Sequence, residues 1–354
     1  MGHYERWFIG RGKDEEGYKL WAKSTRPETG AAQTWSSALP VAWHSSTWTA
    51  DRAMDLLSHH DQDKPLAMWV SFPDPHHPFD CPEPWSRLYD PKSVRLPAHR
   101  SMDFERRPWW HKAQLEGTPQ LADPEMRKFR AEGSRTPVQT DAQLAEMTAN
   151  YYGMISLIDH NVGRILDRIH DLGMDDNTLI VYTTDHGDML GNHGLYLKGP
   201  TPYEDLMRVT MVARGPGVAA NRVVKEPVST LDLAATFYDA AGFSAPHELQ
   251  GRSLKPLLEG KDAPRDAAWM EWHVHPSRCG VGLQLRTVRT KRWKCTFELA
   301  SGAGEMYDLE NDPTEMNNLF DDPGYAKVRK DMEDLMRARP GKVQETLAEQ
   351  IGMA

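Results

Sequence analysis

With 354 residues the chain is long enough for one large α/β domain and a small second one. Its net charge of −9 is spread along the chain, so no basic stripe could follow a nucleic-acid backbone. No apolar run approaches the roughly eighteen residues that span a bilayer, and the residues from Met1 onward hold no signal peptide. Cys81, Cys279 and Cys295 are too few and too scattered for a disulfide framework or a zinc knuckle. We therefore expect a soluble protein with no membrane span and no nucleic-acid partner, whose localisation and oligomeric state are unknown.

The first part of the chain predicts few regular elements. About forty residues of Gly, Trp, Ser and charge precede a helix over 47–59, which Thr47 opens as the N-cap. The apolar run 66–72 predicts a short buried strand. Residues 73–140 are rich in Pro, His, Trp and charge, and so long a stretch without regular elements is usually functional.

Beyond residue 140 the periodicity is clearer. Apolar residues three and four apart predict an amphipathic helix over 151–169, with Gly173 as its stop. A turn leads into a β-branched strand over 178–184. Helix, tight turn and buried strand are together typical of a parallel α/β unit. A strand over 209–213 and a helix over 231–241 follow.

After residue 264 the sequence changes to short β-rich segments. Strands are predicted over 268–274, 282–290, 293–297 and 306–309, and a charged helix over 325–337. This pattern predicts a small antiparallel sheet with a terminal helix. We therefore expect an α/β core over residues 1–264 and a C-terminal antiparallel sheet and helix over residues 265–354.

Asp185 and His186 follow the strand over 178–184, and Gly187 comes next. In open parallel sheets ligands bind at the carboxyl ends of strands, where the loops form a crevice. A carboxylate and an imidazole side by side suit a cation with oxygen and nitrogen ligands. On these residues alone, Asp185 could equally cap a following helix, with His186 incidental.

The surrounding segments resemble the sulfatase family of the alkaline-phosphatase superfamily. The matching elements are Asp185-His186-Gly187, Gly191-Asn192-His193-Gly194, Lys198-Gly199, Tyr203-Glu204, Arg208, Gly215-Pro216-Gly217, the Pro-His-x-Pro-Phe-like loop 72–79, the helical segment 152–163 and the C-terminal segment 306–319. The resemblance implies an α/β fold with a mostly parallel sheet between helices and a small C-terminal antiparallel α+β lobe.

The resemblance also implies roles for individual residues. Asp185 and His186 would ligate a divalent cation, which is calcium in most sulfatases and manganese or zinc in phosphonate-ester relatives. Lys198 would hold an ester oxygen or the leaving group, and His76 would contact the sulfate or protonate the departing oxygen. His193 could touch substrate but better fits a role in ordering its loop.

The resemblance implies no catalytic role for three nearby residues. Glu204 and Arg208 would form a structural pair, while His77 lies beside His76 but outside the motif. Each proposed role has a plainer alternative: Lys198 could be a solvated loop lysine, and His76 a histidine packed in a proline-rich loop.

Two parts of the family pattern are absent from the sequence. The family's nucleophile is a formylglycine made within Cys/Ser-x-Pro-x-Arg, and neither a cysteine nor a serine of the chain begins that motif. The paired aspartates that complete the metal site are also absent. We therefore expect an N-terminally incomplete chain that binds the cation weakly, leaves an exposed sheet edge and is inactive alone.

The implied activity is metal-dependent hydrolysis of a small-molecule sulfate ester. A phosphonate or phosphate ester hydrolase on the same scaffold is the nearest alternative, and a non-catalytic fragment or pseudoenzyme is the alternative from another class. The alcohol part of the substrate is left open, although the Trp-rich segment 73–140 suits a sugar or aromatic ring.

Overall fold

The computed structural model describes residues 3–12, 16–101, 103–133 and 136–339. Its α-helices are α1 (His3–Gly12), α2 (Glu16–Trp21), α3 (Ser45–His59), α4 (Trp109–Glu116), α5 (Pro124–Gly133), α6 (Asp141–Asp171), α7 (Glu204–Met207), α8 (Asp232–Ala240), α9 (Lys255–Leu258), α10 (Pro276–Cys279) and α11 (Ala326–Arg337). Its strands are β1 (Thr34–Ser37), β2 (Phe79–Pro82), β3 (Ile180–Thr183), β4 (Met211–Arg214), β5 (Ala268–Val274), β6 (Leu283–Arg289), β7 (Trp293–Glu298) and β8 (Gly304–Asp308). Among the described helices, none is both long enough and apolar enough to cross a membrane.

The chain divides into two compact units that interleave along the sequence. Unit 1 comprises residues 1–100, 136–177 and 190–197, and unit 2 comprises residues 101–135, 178–189 and 198–354. This division groups the residues differently from the domains 1–264 and 265–354 expected from the sequence, which stay a prediction.

Unit 1 is built around the long helix α6. Its first turn carries a capping box, in which Thr140 accepts from the Gln143 N–H and Gln143 accepts from the Thr140 N–H. The helix begins ten residues before the predicted start because this cap and the buried Leu144 and Met147 extend its apolar face. It packs against α3 and against β1 and β2, which pair in parallel.

Helix α3 begins earlier than predicted. His44, in an extended conformation, is the N-cap, and its side chain accepts from the Ser46 N–H. The prediction that Thr47 is the N-cap is wrong, since Thr47 lies inside the helix and is buried. Histidine is not among the residues that usually cap helices, so the sequence favours the neighbouring hydroxyl residues over His44.

The N-terminal segment is more regular than expected. Instead of forty residues without elements, the structure has α1, α2 and β1. The Tyr4 hydroxyl donates to the Trp43 carbonyl over 2.7 Å, and the Phe8 ring meets the Trp43 ring edge-on. Tyr4 also packs against Trp48. The spacing of Tyr4 and Phe8 is one helical turn, so aromatic packing holds α1 on its own unit.

Two further predictions for unit 1 and its neighbouring segment are wrong. Residues 66–72 pair with no strand in the described part of the chain, and Trp69 there is 81% exposed. Residues 73–140 are not irregular, because they contain β2, α4 and α5. These short elements lack the long apolar periodicity that reveals a helix or strand in sequence.

In unit 2, β3 and β4 form an antiparallel pair. Val181 and Met211 on its inner face pack near a cluster of buried leucines in α8 and α9. On the outer face the cross-strand partners Tyr182 and Val212 are 41% and 59% exposed. The strand was predicted to be buried, and this prediction is wrong because only one of its faces is covered.

The C-terminal part of unit 2 agrees with its prediction. Strands β5, β6, β7 and β8 form one antiparallel sheet in that order, and α11 packs on it. The core between them contains Val288, Cys295, Met306, Phe320 and Met332. Residues 268–274 were predicted with the bounds that β5 has.

The ion pair of Asp308 and Arg292 predicts a pH-dependent stability of this sheet. Arg292 donates twice to the Asp308 carboxylate, over 2.9 and 2.6 Å. These bonds, with a further one from Asn311, lower the pKa of Asp308 from its ordinary 3.8 to about 2. The stabilisation is therefore complete above pH 3.8 and is lost as the pH falls from 3.8 through 2.

We expect Asp308→Asn to lower the free energy of unfolding by about 1 kcal/mol at pH 7, since the half-exposed Arg292 is screened by solvent. The difference should shrink towards zero near pH 2. Urea unfolding at a series of pH values measures it, with Asp331→Asn in the exposed Lys327–Asp331 pair as the control. If the stability difference between Asp308→Asn and the unaltered chain does not diminish at low pH, the stabilising role of the Asp308–Arg292 pair is contradicted.

Candidate functional site

Asp185 and His186 lie where β3 ends, as predicted from the sequence. Asp185 accepts from the His186 N–H over 2.9 Å and from the Thr184 hydroxyl over 3.3 Å. No helix begins directly after it, because the next helical turn starts at Asn192 behind Gly191. The reading of Asp185 as a helix cap is therefore wrong, and its carboxylate, 84% exposed, faces solvent.

The orientation of the His186 ring is fixed by its own loop. Its Nδ1 lies 2.7 Å from the Gly187 carbonyl oxygen, to which it donates. In the neutral ring this assigns the proton to Nδ1 and leaves a lone pair on Nε2. That Nε2 lies 3.1 Å from Lys198 Nζ and 3.6 Å from Asp185 Oδ2. An imidazole arranged in this way can act as a ligand through Nε2.

Lys198 and Asp185 influence each other through charge. Burial and the Arg278 charge lower the pKa of Lys198, against the opposing effect of Asp185 and Asp188. Partial desolvation by the surrounding loop raises the pKa of Asp185, but the charge of His186, two backbone hydrogen bonds and Lys198 together hold it below its ordinary value. The carboxylate is therefore ionised at neutral pH, and its cluster contains a cationic group beside the two candidate ligand atoms.

Gly187 positions this loop by close approach to α7. Its N–H donates to the Leu206 carbonyl over 2.8 Å. A Cβ at this position would stand 1.8 Å from the Asp205 carbonyl oxygen. Only glycine fits, and the contact seats the Asp185–His186 pair on α7.

The fit of the site to a divalent cation is partial. Asp185 and His186 present one oxygen and one nitrogen to the same side, which are ligand types that such cations accept. Within the described residues, no group of three or more His, Cys, Asp or Glu side chains is placed to hold a metal ion. Asp185 and His186 therefore offer one candidate oxygen and one candidate nitrogen ligand to a cation at this position.

His76 and His193 belong to unit 1, whereas Asp185, His186 and Lys198 belong to unit 2. His76 is exposed, and its ring stacks on that of His77 with 4.2 Å between centroids. His193 is buried, has a positive φ of 55° and donates its backbone N–H to the His99 carbonyl over 2.6 Å. These contacts support its expected role in ordering the loop.

The Glu204 side chain pairs differently from the prediction. Its carboxylate lies 3.3 Å from Arg289 and 3.8 Å from Lys294. The expected pair with Arg208 is wrong, because in the described structure only a backbone helical bond links the two residues. Arg208 follows Glu204 by one helical turn, but Arg289 and Lys294 come from the C-terminal sheet, which sequence spacing does not reveal.

Sequence reasoning missed Arg278 and Lys294, and it included Glu315 only as part of the C-terminal segment 306–319, without a role. Arg278 lies on α10, close enough for its charge to act on Lys198. Lys294 and Glu315 form an ion pair in the interior of unit 2. Arg278 and Lys294 lie so far along the chain from Asp185 that no local pattern identifies them, and no local pattern shows which residues Glu315 contacts.

The solved structures that resemble this chain define its fold class. A phosphonate monoester hydrolase of Agrobacterium radiobacter has a TM-score of 0.73 and 26% identity, covering 95% of this chain and 68% of that chain. The structure of a protein in complex with its substrate D-glucosamine-2-N,6-O-disulfate has a TM-score of 0.68 and 25% identity, covering 83% of this chain and 69% of that chain. The predicted alkaline-phosphatase-like α/β fold with a C-terminal antiparallel lobe is confirmed.

Family models identify the class more narrowly. One described as Sulfatase matches residues 2–243, and one described as N-sulphoglucosamine sulphohydrolase, C-terminal, matches residues 191–341. The chain belongs to the sulfatase family. An arylsulfatase of Clostridium perfringens is 30% identical over 288 residues, which cover 80% of this chain and 55% of that protein. The chain spans about half the length of the curated relatives it matches.

The close approach at Gly187 predicts the effect of adding one methyl group. Gly187→Ala should lower the free energy of unfolding by about 1–3 kcal/mol, because the Asp205 backbone cannot yield without moving α7. Thermal or urea unfolding measures the loss. Gly163→Ala is the matched control, since open space surrounds Gly163 inside α6 and alanine should stabilise that helix by about 0.5–1 kcal/mol. Equal behaviour of the two variants would contradict the packing at Gly187.

Proposed function

We propose that this chain contributes Asp185, His186 and Lys198 to a metal-dependent hydrolase of sulfate esters. The observation that carries the proposal is their convergence: His186 Nε2 lies within 3.1 Å of Lys198 Nζ and 3.6 Å of Asp185 Oδ2. Membership of the sulfatase family supports the same chemistry. Under this proposal the nucleophile and the remaining metal ligands come from polypeptide other than the residues described.

Asp185 and His186 would hold the cation through Oδ2 and Nε2. Calcium is the cation proposed first. Manganese and zinc are the alternatives, because the His186 nitrogen suits them better than it suits calcium. Such a cation would neutralise the charge on the ester oxygens. The loop itself contributes the orientation, since the Nδ1–H bond to Gly187 aims the Nε2 lone pair.

Lys198 would bind a non-bridging oxygen of the ester or the leaving oxygen. Its ammonium group is half-buried, so its interaction with an anion is less screened than at an open surface. His76 would contact the sulfate or protonate the departing oxygen, and its exposed ring leaves it accessible to a ligand. His193 would order its loop, with direct substrate contact as the lesser role.

Phosphonate or phosphate ester hydrolysis is the alternative on the same scaffold. The likeness to the phosphonate monoester hydrolase of Agrobacterium radiobacter, which covers 95% of this chain, favours it. A non-catalytic fragment is the alternative from another class, favoured by the partial ligand set. Substrates to test include a sulfated amino sugar, because one similar structure contains D-glucosamine-2-N,6-O-disulfate as its own protein's substrate.

Cation binding tests the role of the Asp185–His186 pair. Titration with Ca²⁺ and Mn²⁺ followed by calorimetry should detect binding to the unaltered chain, and Asp185→Ala should weaken it at least about tenfold. His186→Gln should weaken Mn²⁺ more than Ca²⁺, because it removes the nitrogen ligand. Asp176→Asn in the exposed turn before β3 is the control and should bind unchanged. Equal affinities of Asp185→Ala and the control would refute the site.

Activity of the chain alone tests the need for further groups. With calcium or manganese present, the chain should not hydrolyse 4-nitrophenyl sulfate or a phosphonate ester. Its sequence has no motif for the formylglycine nucleophile, and its described residues place no full set of metal ligands together. The release of 4-nitrophenolate measures hydrolysis. Turnover that Asp185→Ala abolishes would show instead that this chain is sufficient.

A further inference from the structure

Glu315 is a buried carboxylate with two unlike partners. Its side chain and that of Lys294 are each only 1% exposed and form an ion pair, and its Oε2 accepts the Glu204 backbone N–H over 2.7 Å. Its own backbone has a positive φ of 56°, and its carbonyl accepts from Arg107 over 2.7 Å. These contacts fix the carboxylate at the beginning of α7.

Helix α7 depends on this contact more than a longer helix would. It has four residues, and its N-cap, Tyr203, makes no side-chain capping bond. The Glu315 carboxylate takes over that task by accepting an N–H that no helical carbonyl can reach. A buried ion pair adds little net stability compared with apolar residues of similar size. The direct contact with the helix is the hydrogen bond from the Glu204 N–H to Glu315.

From α7 two more hydrogen bonds lead to the candidate site. The Leu206 carbonyl at the other end of the helix accepts the Gly187 N–H over 2.8 Å. The Gly187 carbonyl in turn accepts the His186 Nδ1–H over 2.7 Å. The direction of the His186 Nε2 lone pair therefore depends on where α7 lies.

We propose that Glu315 is a positioning residue for His186, acting through α7 and Gly187. It holds the first turn of α7, α7 holds the Gly187 peptide, and that peptide sets both the ring orientation and the Nδ1-protonated form of His186. The value of this arrangement for catalysis rests on the proposed function of His186 as a ligand. The hydrogen-bond path itself does not.

Two variants separate positioning from simple loss of folding. Glu315→Gln keeps an acceptor for the Glu204 N–H and leaves Lys294 with the Glu204 carboxylate 3.8 Å away, so it should preserve the site. Combining Glu315→Ala with Lys294→Met removes both members of the pair, so no uncompensated charge is left in the interior. In this double variant the amide hydrogen of Gly187 should exchange at least about tenfold faster, because its partner helix has lost its tether.

The ring nitrogen signals of His186 provide the decisive readout. In the chain labelled with ¹⁵N-histidine, and with the signals assigned by their loss in His186→Gln, NMR should show the Nδ1-protonated form in the unaltered chain and in Glu315→Gln. The double variant should show a mixture of the two tautomers. A double variant that is folded by circular dichroism but keeps both the His186 spectrum and the Gly187 exchange rate would overturn the proposal.

Glu298 offers a matched control within the same lobe. It is equally buried and accepts from the Ser301 N–H over 2.7 Å, but among the described residues it has no hydrogen bond or ion pair with α7. Glu298→Gln should therefore leave the His186 tautomer unchanged even if it lowers stability. If it changes the His186 tautomer as much as the double variant does, the proposal is also overturned. Titration with Ca²⁺, Mn²⁺ and Zn²⁺ distinguishes the positioning role of Glu315 from the metal role of His186. A His186 signal that responds to the Glu315 variants but to none of the three cations supports the positioning role and refutes the metal role.

Discussion

The close contact between Gly187 and α7 is the constraint on which the site depends. Asp185 and His186 lie on a loop between the end of β3 at Thr183 and the helical turn at Asn192. The hydrogen bond from the Gly187 N–H to the Leu206 carbonyl attaches that loop to α7. The loop can approach α7 so closely because Gly187 has no side chain. Because the Gly187 carbonyl also accepts from His186, a single peptide unit carries both the anchoring of the loop and the orientation of the ring.

This arrangement links the site to the C-terminal sheet within unit 2. Lys294 lies on β7, and Glu315 follows β8, so the sheet supplies the charges that meet at the start of α7. Arg289 on β6 adds a contact to Glu204. Stability of the sheet and geometry of the candidate ligands are therefore not independent, although the sheet contributes no ligand itself.

The sequence revealed those features that local pattern encodes. Asp185 and His186 were predictable because strand, polar pair and glycine are consecutive. The C-terminal strands were predictable from short segments rich in apolar, aromatic or β-branched residues. The contact of Glu204 with Glu315 joins residues 111 positions apart and leaves no periodic trace. Helix α1 was missed for a related reason: rings such as Tyr4 and Trp48, distant in sequence, stabilise it by packing rather than by propensity.

Charge balance connects the proposed roles of Lys198 and the cation. Lys198 Nζ and a divalent cation would both use the Nε2 lone pair of His186, and an imidazole nitrogen has only one. A cation held by His186 would therefore displace the ammonium group, which would then need another acceptor in a half-buried setting. An oxygen of an anionic ester is such an acceptor. Cation and substrate binding would in this way favour each other, because each satisfies a group that the other leaves unpaired.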